Sequence, residues 1–117
     1  MKIEVGKVIV EIKDMLTYSD VKSIMSYMQK KAEGGDSQTD AMLKAIFEYM
    51  VCSMTNEKGE MLEKNEYWGW FIYTDARITS EIQEELGTAY LEMSGQKKIL
   101  DQIRQRDMNG LNDTGKE

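Results

Sequence analysis

The chain has 117 residues, of which 41% are apolar and 31% are charged, and its formal net charge is -6. This length and composition suit one globular domain and exclude a disordered polar chain. With no His and a single Cys, Cys52, the commonest general base, Cys-based zinc sites and an internal disulfide are excluded as well. No apolar run reaches the roughly 20 residues of a membrane-spanning helix. We therefore expect a soluble, cytoplasmic protein that is not an enzyme and has no cofactor or metal.

The first 13 residues alternate between apolar and polar side chains. The apolar positions have a period of two, and Gly6 interrupts the pattern: Ile3, Val5, Val8, Val10 and Ile12. This period predicts a β-strand or a small hairpin with one solvent-facing side. Because Gly6-Lys7 is a weaker turn signal than Asn-Gly, two paired strands and one bent strand both fit the pattern.

A helix is predicted to begin after Thr17. Thr17 precedes Asp20 by three positions, which is the spacing that satisfies the free amides at a helix start. Apolar residues then recur at intervals of three and four from Val21 to Ala32, and Gly34-Gly35 ends the helix. After the polar linker 36–40, we predict a second helix from Thr39 to Thr55. Apolar residues cover most of its circumference, which indicates a central helix of a bundle or a helix with one face buried in a partner.

The second half of the chain has one ambiguous segment and one clear helix. Residues 56–60 read as a turn, and we predict a short helix within the aromatic segment 61–74. A capping pair, Ser80 with Gln83, predicts the start of a third long helix that extends to Met93, and Gly95 interrupts it. Residues 99–103 fit a further amphipathic turn, and residues 107–117 are expected to form a disordered tail.

These elements predict an α+β, mostly α-helical fold. A small N-terminal β-strand or hairpin packs on a bundle of three to four helices. Residues 1–106 form a single domain, and residues 107–117 form the tail.

Acidic residues dominate the middle of the chain. Residues 33–92 carry a net charge of -9, so we expect no binding to nucleic acid. The carboxylates at Glu57, Glu60, Glu63, Glu66 and the pair Glu84-Glu85 fit either a divalent-metal cluster or a solvated helix face. We favour the solvated face, because no Gly-bearing loop of the kind that hard cations use accompanies them.

Two features predict a protein-binding surface. The chain has ten methionines, whose flexible side chains adapt to several partner shapes, and it concentrates five aromatic residues between positions 67 and 73. We expect Cys52, on the apolar second helix, to be buried and unreactive. The candidate partner-binding residues are Met42, Ile46, Met50, Met54, Tyr67, Trp68, Trp70 and Phe71. Structural roles in the core compete with this interpretation for each of them.

The order of elements resembles that of a known family. The alternating N-terminus leads into Leu16-Thr17-Tyr18-Ser19-Asp20, and two helices follow, then Tyr67-Trp68-Gly69-Trp70-Phe71 and a final helix from Ile78 to Met93. Over residues 1–93 this order resembles the tail assembly chaperones of long-tailed phages and of prophages in Gram-positive bacteria.

This resemblance implies a non-enzymatic, homo-oligomeric protein. Such chaperones coat the long, helical tape measure protein and help to recruit tail tube protein. Many members also have a longer form made by a ribosomal frameshift, for which Lys97-Lys98 is a candidate position. An alternative hypothesis is a small acidic inhibitor from a phage or mobile element, which imitates the charge of nucleic acid and blocks a DNA-binding protein. Neither hypothesis involves a membrane.

Overall fold

The structure, a computed structural model, describes residues 1–96. The described chain is an α+β, mostly helical fold, as predicted from the sequence. Its elements in chain order are β1 (Lys2–Val5), β2 (Val8–Ile12), α1 (Tyr18–Glu33), α2 (Gln38–Tyr49), β3 (Val51–Thr55), β4 (Met61–Leu62), a 3₁₀ turn (Lys64–Glu66), α3 (Tyr67–Tyr73) and α4 (Ala76–Met93).

The N-terminal alternation forms a hairpin of two antiparallel strands, β1 and β2, rather than one bent strand. Gly6 has a φ of 61° at the first turn position, where a side chain would be strained. The hairpin continues into a four-stranded antiparallel sheet in the order β1-β2-β3-β4. Between β2 and β3 the register shifts next to Glu11, so that Cys52 is the extra residue of a β-bulge.

One face of the sheet is buried beneath the helices. The apolar residues of the hairpin point inward, as the alternation predicts. Each is at most 7% exposed: Ile3, Val5, Val8, Val10 and Ile12. α1 packs along α2, while α4 packs against both α2 and β1. The core therefore lies between this sheet face and the helices. The intervening strand residues, such as Glu4 and Glu11, lie on the other face of the sheet and are exposed.

Helix α1 begins and ends where the sequence predicts. The Thr17 hydroxyl accepts a hydrogen bond from the Asp20 amide at 3.1 Å, and the Asp20 carboxylate accepts one from the Thr17 amide at 3.0 Å. At the other end, the Gly34 amide donates to the Lys30 carbonyl and closes the last turn. Both ends thus satisfy backbone groups that a helix terminus leaves without partners.

The predicted second helix from Thr39 to Thr55 is wrong in its last third. α2 ends at Tyr49, and Val51–Thr55 form β3, which pairs with β2. The apolar residues of the two elements therefore do not surround one helix: they belong to one inward helix face and to alternating strand positions. The pairing with β2 joins residues about 40 positions apart in the chain, and a local periodicity does not reveal such a contact.

Cys52 is exposed, which contradicts its predicted burial. A thiol at this position of a helix would face the core, but on β3 it follows the buried Val51 and lies at the bulge. Successive side chains of a strand point to opposite faces, so Cys52 faces solvent.

The turn predicted at residues 56–60 is confirmed. The Asn56 side-chain oxygen accepts hydrogen bonds from the amides of Lys58 and Glu60, at 3.0 and 2.9 Å. Asn56 is consequently buried although it is polar, and Gly59 supplies the left-handed backbone with a φ of 80°. The turn leads into the two-residue strand β4, which the sequence did not predict.

The last long helix begins earlier than its predicted cap. Asp75 accepts a hydrogen bond from the Arg77 amide at 2.9 Å and caps α4, whereas Ser80 lies within the helix. The helix ends at Met93, and Gly95 follows with a φ of 78°, as expected of a helix stop. The amphipathic turn predicted at 99–103, the tail 107–117 and Lys97-Lys98 lie outside the described residues.

The cap of α1 predicts a specific loss of stability in acid. The hydrogen bond from the Thr17 amide, and after it the Lys13 ammonium at 3.2 Å, lowers the pKa of Asp20 below its ordinary value. Because the folded pKa is the lower one, the stabilisation is complete above the unfolded pKa of about 3.9 and is lost as the pH falls through the folded pKa. Thermal unfolding of the wild type and of Asp20→Asn should therefore differ at neutral pH, and the difference should shrink as the pH falls below about 4. A difference that stays constant down to about pH 3 would contradict this.

The exposure of Cys52 predicts rapid labelling of the native protein. A chromogenic disulfide reagent should react with the folded chain within about threefold of its rate with the unfolded chain in denaturant. Cys52→Ser should abolish the signal and change the free energy of unfolding by less than about 0.5 kcal/mol, as surface substitutions do. Protection of the thiol until the protein unfolds would instead place Cys52 in the core.

Candidate partner-binding surface

The structure divides the eight candidate partner-binding residues into two groups. Five lie in the hydrophobic core and are at most 8% exposed: Ile46, Met50, Met54, Tyr67 and Phe71. Met42, Trp68 and Trp70 are partly buried and pack against that core. In this conformation only the second group has side-chain surface to offer a partner.

The aromatic cluster is organised around Phe47 of α2. The Phe47 ring meets Phe71 at 5.4 Å between centroids, Tyr67 at 6.2 Å and Trp68 at 6.3 Å. Trp68 in turn stacks on Phe71 with an interplanar angle of 17°. Edge-to-face and stacked contacts of this kind add to the free energy of burial. The cluster fixes the inner side of α3 against α2.

The outer side of α3 is apolar and open to solvent. Tyr67 and Phe71, four positions apart, face inward, so the helical repeat turns Gly69, Ile72 and Tyr73 outward. Ile72 is 47% exposed and Tyr73 is 87% exposed. We call the group Trp68, Gly69, Trp70, Ile72 and Tyr73 the α3 surface, in which the two tryptophans flank the outward residues.

The candidate set from the sequence omitted Ile72 and Tyr73. The four-residue spacing of Tyr67 and Phe71 would have identified Ile72 and Tyr73. Two inward residues four apart define one face of a helix, and therefore also the opposite, exposed face. The segment mixes strand-favouring aromatics with helix-favouring residues, so its helical period was not evident from the sequence.

Glu57 holds one indole of the α3 surface in place. The Trp70 Nε1 donates a hydrogen bond to the Glu57 carboxylate at 3.2 Å. Glu57 lies in the turn between β3 and β4, so this bond ties α3 to the sheet. An indole N–H with a polar partner leaves the ring edge and face available for apolar contact.

Nothing in the described fold requires a glycine at position 69, and the same holds for Gly87 in α4. The backbone at Gly69 is helical, and a Cβ added to it would meet no atom within 4 Å. Glycine inside a helix costs about 0.5–1 kcal/mol relative to alanine. Between two tryptophans on an exposed apolar face, its effect is to leave the helix backbone open to close approach by another chain.

The predicted solvated carboxylates are exposed. Glu84 and Glu85 lie on helix α4, but the four at 57, 60, 63 and 66 do not share a helix face. Glu57 and Glu60 lie in the turn before β4, Glu63 precedes the 3₁₀ turn, and Glu66 ends it. The Glu66 carboxylate accepts a hydrogen bond from the Glu63 amide at 3.0 Å. Within residues 1–96, no three acidic or Cys side chains are grouped so that they could hold a metal ion.

Two buried phenols stay neutral at physiological pH. Burial, with smaller contributions from Glu63 and Cys52, raises the pKa of Tyr67 above its ordinary value. Burial also raises the pKa of Tyr90, while a hydrogen bond with Gln96 opposes this shift. Both side chains are therefore uncharged groups packed in the core.

Comparisons of this chain with protein-family models, with curated proteins and with solved structures find no match. None of the helices in the described part of the chain combines the length and the apolar character needed to cross a membrane.

Glycine-to-alanine substitution tests whether Gly69 serves the fold. Gly69→Ala should raise the free energy of unfolding by about 0.5–1 kcal/mol in urea denaturation, because it restricts the unfolded chain and meets no obstacle. Gly87→Ala is the matched control within α4, where the new Cβ would meet only the Met42 methyl at 3.8 Å, and it should stabilise similarly. Destabilisation by Gly69→Ala alone would show that the fold itself requires this glycine.

Proposed function

We propose that the protein is a phage or prophage tail assembly chaperone that binds apolar helices of the tape measure protein. The observation that carries this proposal is the α3 surface, where an unneeded helix glycine lies between two partly exposed tryptophans and beside Ile72 and Tyr73. The resemblance in element order supplies the identity of the partner. The geometry supports the kind of contact that such a partner would make.

A helix is the partner shape that fits this surface. A short exposed helix with a glycine in its centre lets a second helix pack with a small separation between the two axes. Ile72 and Tyr73 would then be buried between the helices, and each large apolar side chain so buried contributes about 1.5–3 kcal/mol. The flanking indoles supply rigid aromatic area, which is typical of interface residues that dominate affinity.

The acidic body suits a protein that carries an apolar partner. Residues 33–92 have a net charge of -9, and a net charge far from zero keeps protein complexes in solution. In this proposal the chain acts in the host cytoplasm as a homo-oligomer and also helps to recruit tail tube protein. Catalysis has no part in it.

The test uses the gene's neighbourhood and then a binding measurement. If a long helix-rich reading frame lies downstream of the gene, overlapping amphipathic peptides from it should bind the full-length protein in fluorescence anisotropy. The double variant Ile72→Ser/Tyr73→Ser should weaken binding at least about tenfold, because it removes apolar area from the interface. Tyr18→Ser on α1 is the matched control, since Tyr18 is 79% exposed but lies on another helix.

A second pair of variants distinguishes an effect on the approach of the peptide to the α3 backbone from an effect on the stability of the fold. Gly69→Ala should weaken peptide binding although it stabilises the fold, whereas Gly87→Ala should leave binding unchanged. A gene neighbourhood without tail genes, or peptides that bind the double variant as tightly as the wild type, would overturn the proposal.

One observation favours the alternative, a charge-mimicking inhibitor. Four carboxylates, those of Glu81, Glu84, Glu85 and Glu92, line a single open groove of about 440 Å³ between α4 and β1. A row of negative charge on one surface is the feature that a DNA-binding protein would recognise. Salt distinguishes the two functions: partner binding that weakens steeply between low and moderate salt favours the inhibitor, and binding through an apolar surface changes little.

A further inference from the structure

A second groove is richer in basic side chains than the acidic α4 groove. It lies between α1, α2 and the start of α3, has a volume of about 320 Å³, and is lined by residues that include Lys31, Lys44, Lys64 and Glu48 and the rings of Tyr27, Phe47 and Trp68. This volume is at the lower end of the range of about 300–1,000 Å³ that is typical of small-molecule sites. Neither the α3 outward residues nor the acidic α4 groove contributes to it.

Three lysines from three separate elements converge on this groove. Lys31 comes from the last turns of α1, Lys44 from α2 and Lys64 from the 3₁₀ turn. Residues 33–92 contain only four basic residues, and two of them, Lys44 and Lys64, line the groove. The three lysines outnumber Glu48, which also lines the groove, and Asp36, which pairs with Lys44, so a local excess of positive charge remains on an acidic protein. Such a site concentrates small anions.

The lysine ammonium groups already lie over aromatic rings. The Lys44 Nζ is 4.9 Å from the Trp68 ring centroid, and the Lys31 Nζ is 5.4 Å from the Tyr27 centroid. Lys44 also pairs with Asp36 at 2.8 Å, and Lys64 pairs with Glu48 at 3.3 Å. The Lys64–Glu48 pair has side chains that are 52% and 43% exposed, so its partners can separate at little cost when an anion arrives.

The walls of the groove suit a flat apolar group. Trp68 is held from behind by its stack on Phe71, and Tyr27 is held by an edge-to-face contact with Tyr49 at 5.8 Å. Rigid rings of this kind lose little conformational freedom when a planar ligand contacts them. Cations and aromatic walls in one small groove therefore match a ligand that carries both a negative charge and a ring.

We propose that this groove binds a small anion built on a flat ring, of the size and chemistry of a nucleoside monophosphate. The phosphate group contacts the ammonium groups of Lys31 and Lys64, and Lys31 leaves the face of Tyr27 to reach it. The ring then lies against Tyr27 and the edge of Trp68, because the Lys44 ammonium already lies over the face of that indole. Lys44 stays paired with Asp36 and contributes its charge at the groove wall. This site goes beyond the proposed chaperone function and does not rest on it, although both sites include Trp68. The tape measure contact is centred on Gly69, Ile72 and Tyr73, which do not line the groove.

Trp68 can report directly on the site. The chain has two tryptophans, so Trp70→Phe leaves Trp68 as the single indole, and its emission should be quenched saturably by adenosine 5′-monophosphate. Adenosine alone and inorganic phosphate alone, at constant ionic strength, should each bind at least tenfold more weakly. Isothermal titration calorimetry with the unmodified chain gives the same comparison without relying on the variant.

Charge variants locate the site. Lys31→Gln/Lys64→Gln should weaken binding of adenosine 5′-monophosphate at least tenfold, whereas the control Lys30→Gln/Lys58→Gln removes two lysines outside the groove and should change it less than twofold. Circular dichroism and urea denaturation check that both variants are folded. The proposal is overturned if the nucleotide does not bind saturably, if phosphate alone binds equally well, or if both double variants weaken binding to the same extent.

Discussion

The packing of α3 on Phe47 determines which side chains of the α3 surface are exposed to solvent. Phe47 contacts Tyr67, Trp68 and Phe71 within one ring cluster, and the seven-residue helix is too short to be stable without such tertiary contacts. A helix anchored through one face must present its opposite face to solvent. The exposure of Tyr73 is therefore a direct consequence of the contacts that hold the helix in place.

The parts of the fold that could be predicted from sequence are those with local causes. The hairpin follows from a period of two with Gly6 at the reversal, and α1 follows from the Thr17–Asp20 cap and Gly34. Each of these signals acts within a few residues, so neither depends on the remainder of the chain. The turn at Asn56 belongs to the same class, because its side chain bonds to amides within four positions.

The wrong end of the second helix has a nonlocal cause, because the pairing of β3 with β2 overrides the local pattern. The sequence has no helix-stop signal between Tyr49 and Val51, since neither glycine nor proline occurs there. Only Met50 separates α2 from β3. β3 forms because it can pair with the edge of β2. This pairing determines both the exposure of Cys52 and the burial of Met54.

The two surfaces next to α3 illustrate how one aromatic segment can serve two purposes. Trp68 stacks on Phe71 and forms a wall of the lysine-lined groove, while Ile72 and Tyr73 are exposed and do not line it. The helical repeat of about 100° per residue turns Tyr73 about 140° away from Trp68 but Ile72 only about 40°, so a partner helix that contacts Ile72 lies beside the groove. In the proposed function, contact with a partner helix explains the stability that Gly69 costs, since Gly69 does not line the groove. Loss of partner binding in Gly69→Ala with nucleotide binding retained would show that the two proposed sites are separate although both include Trp68.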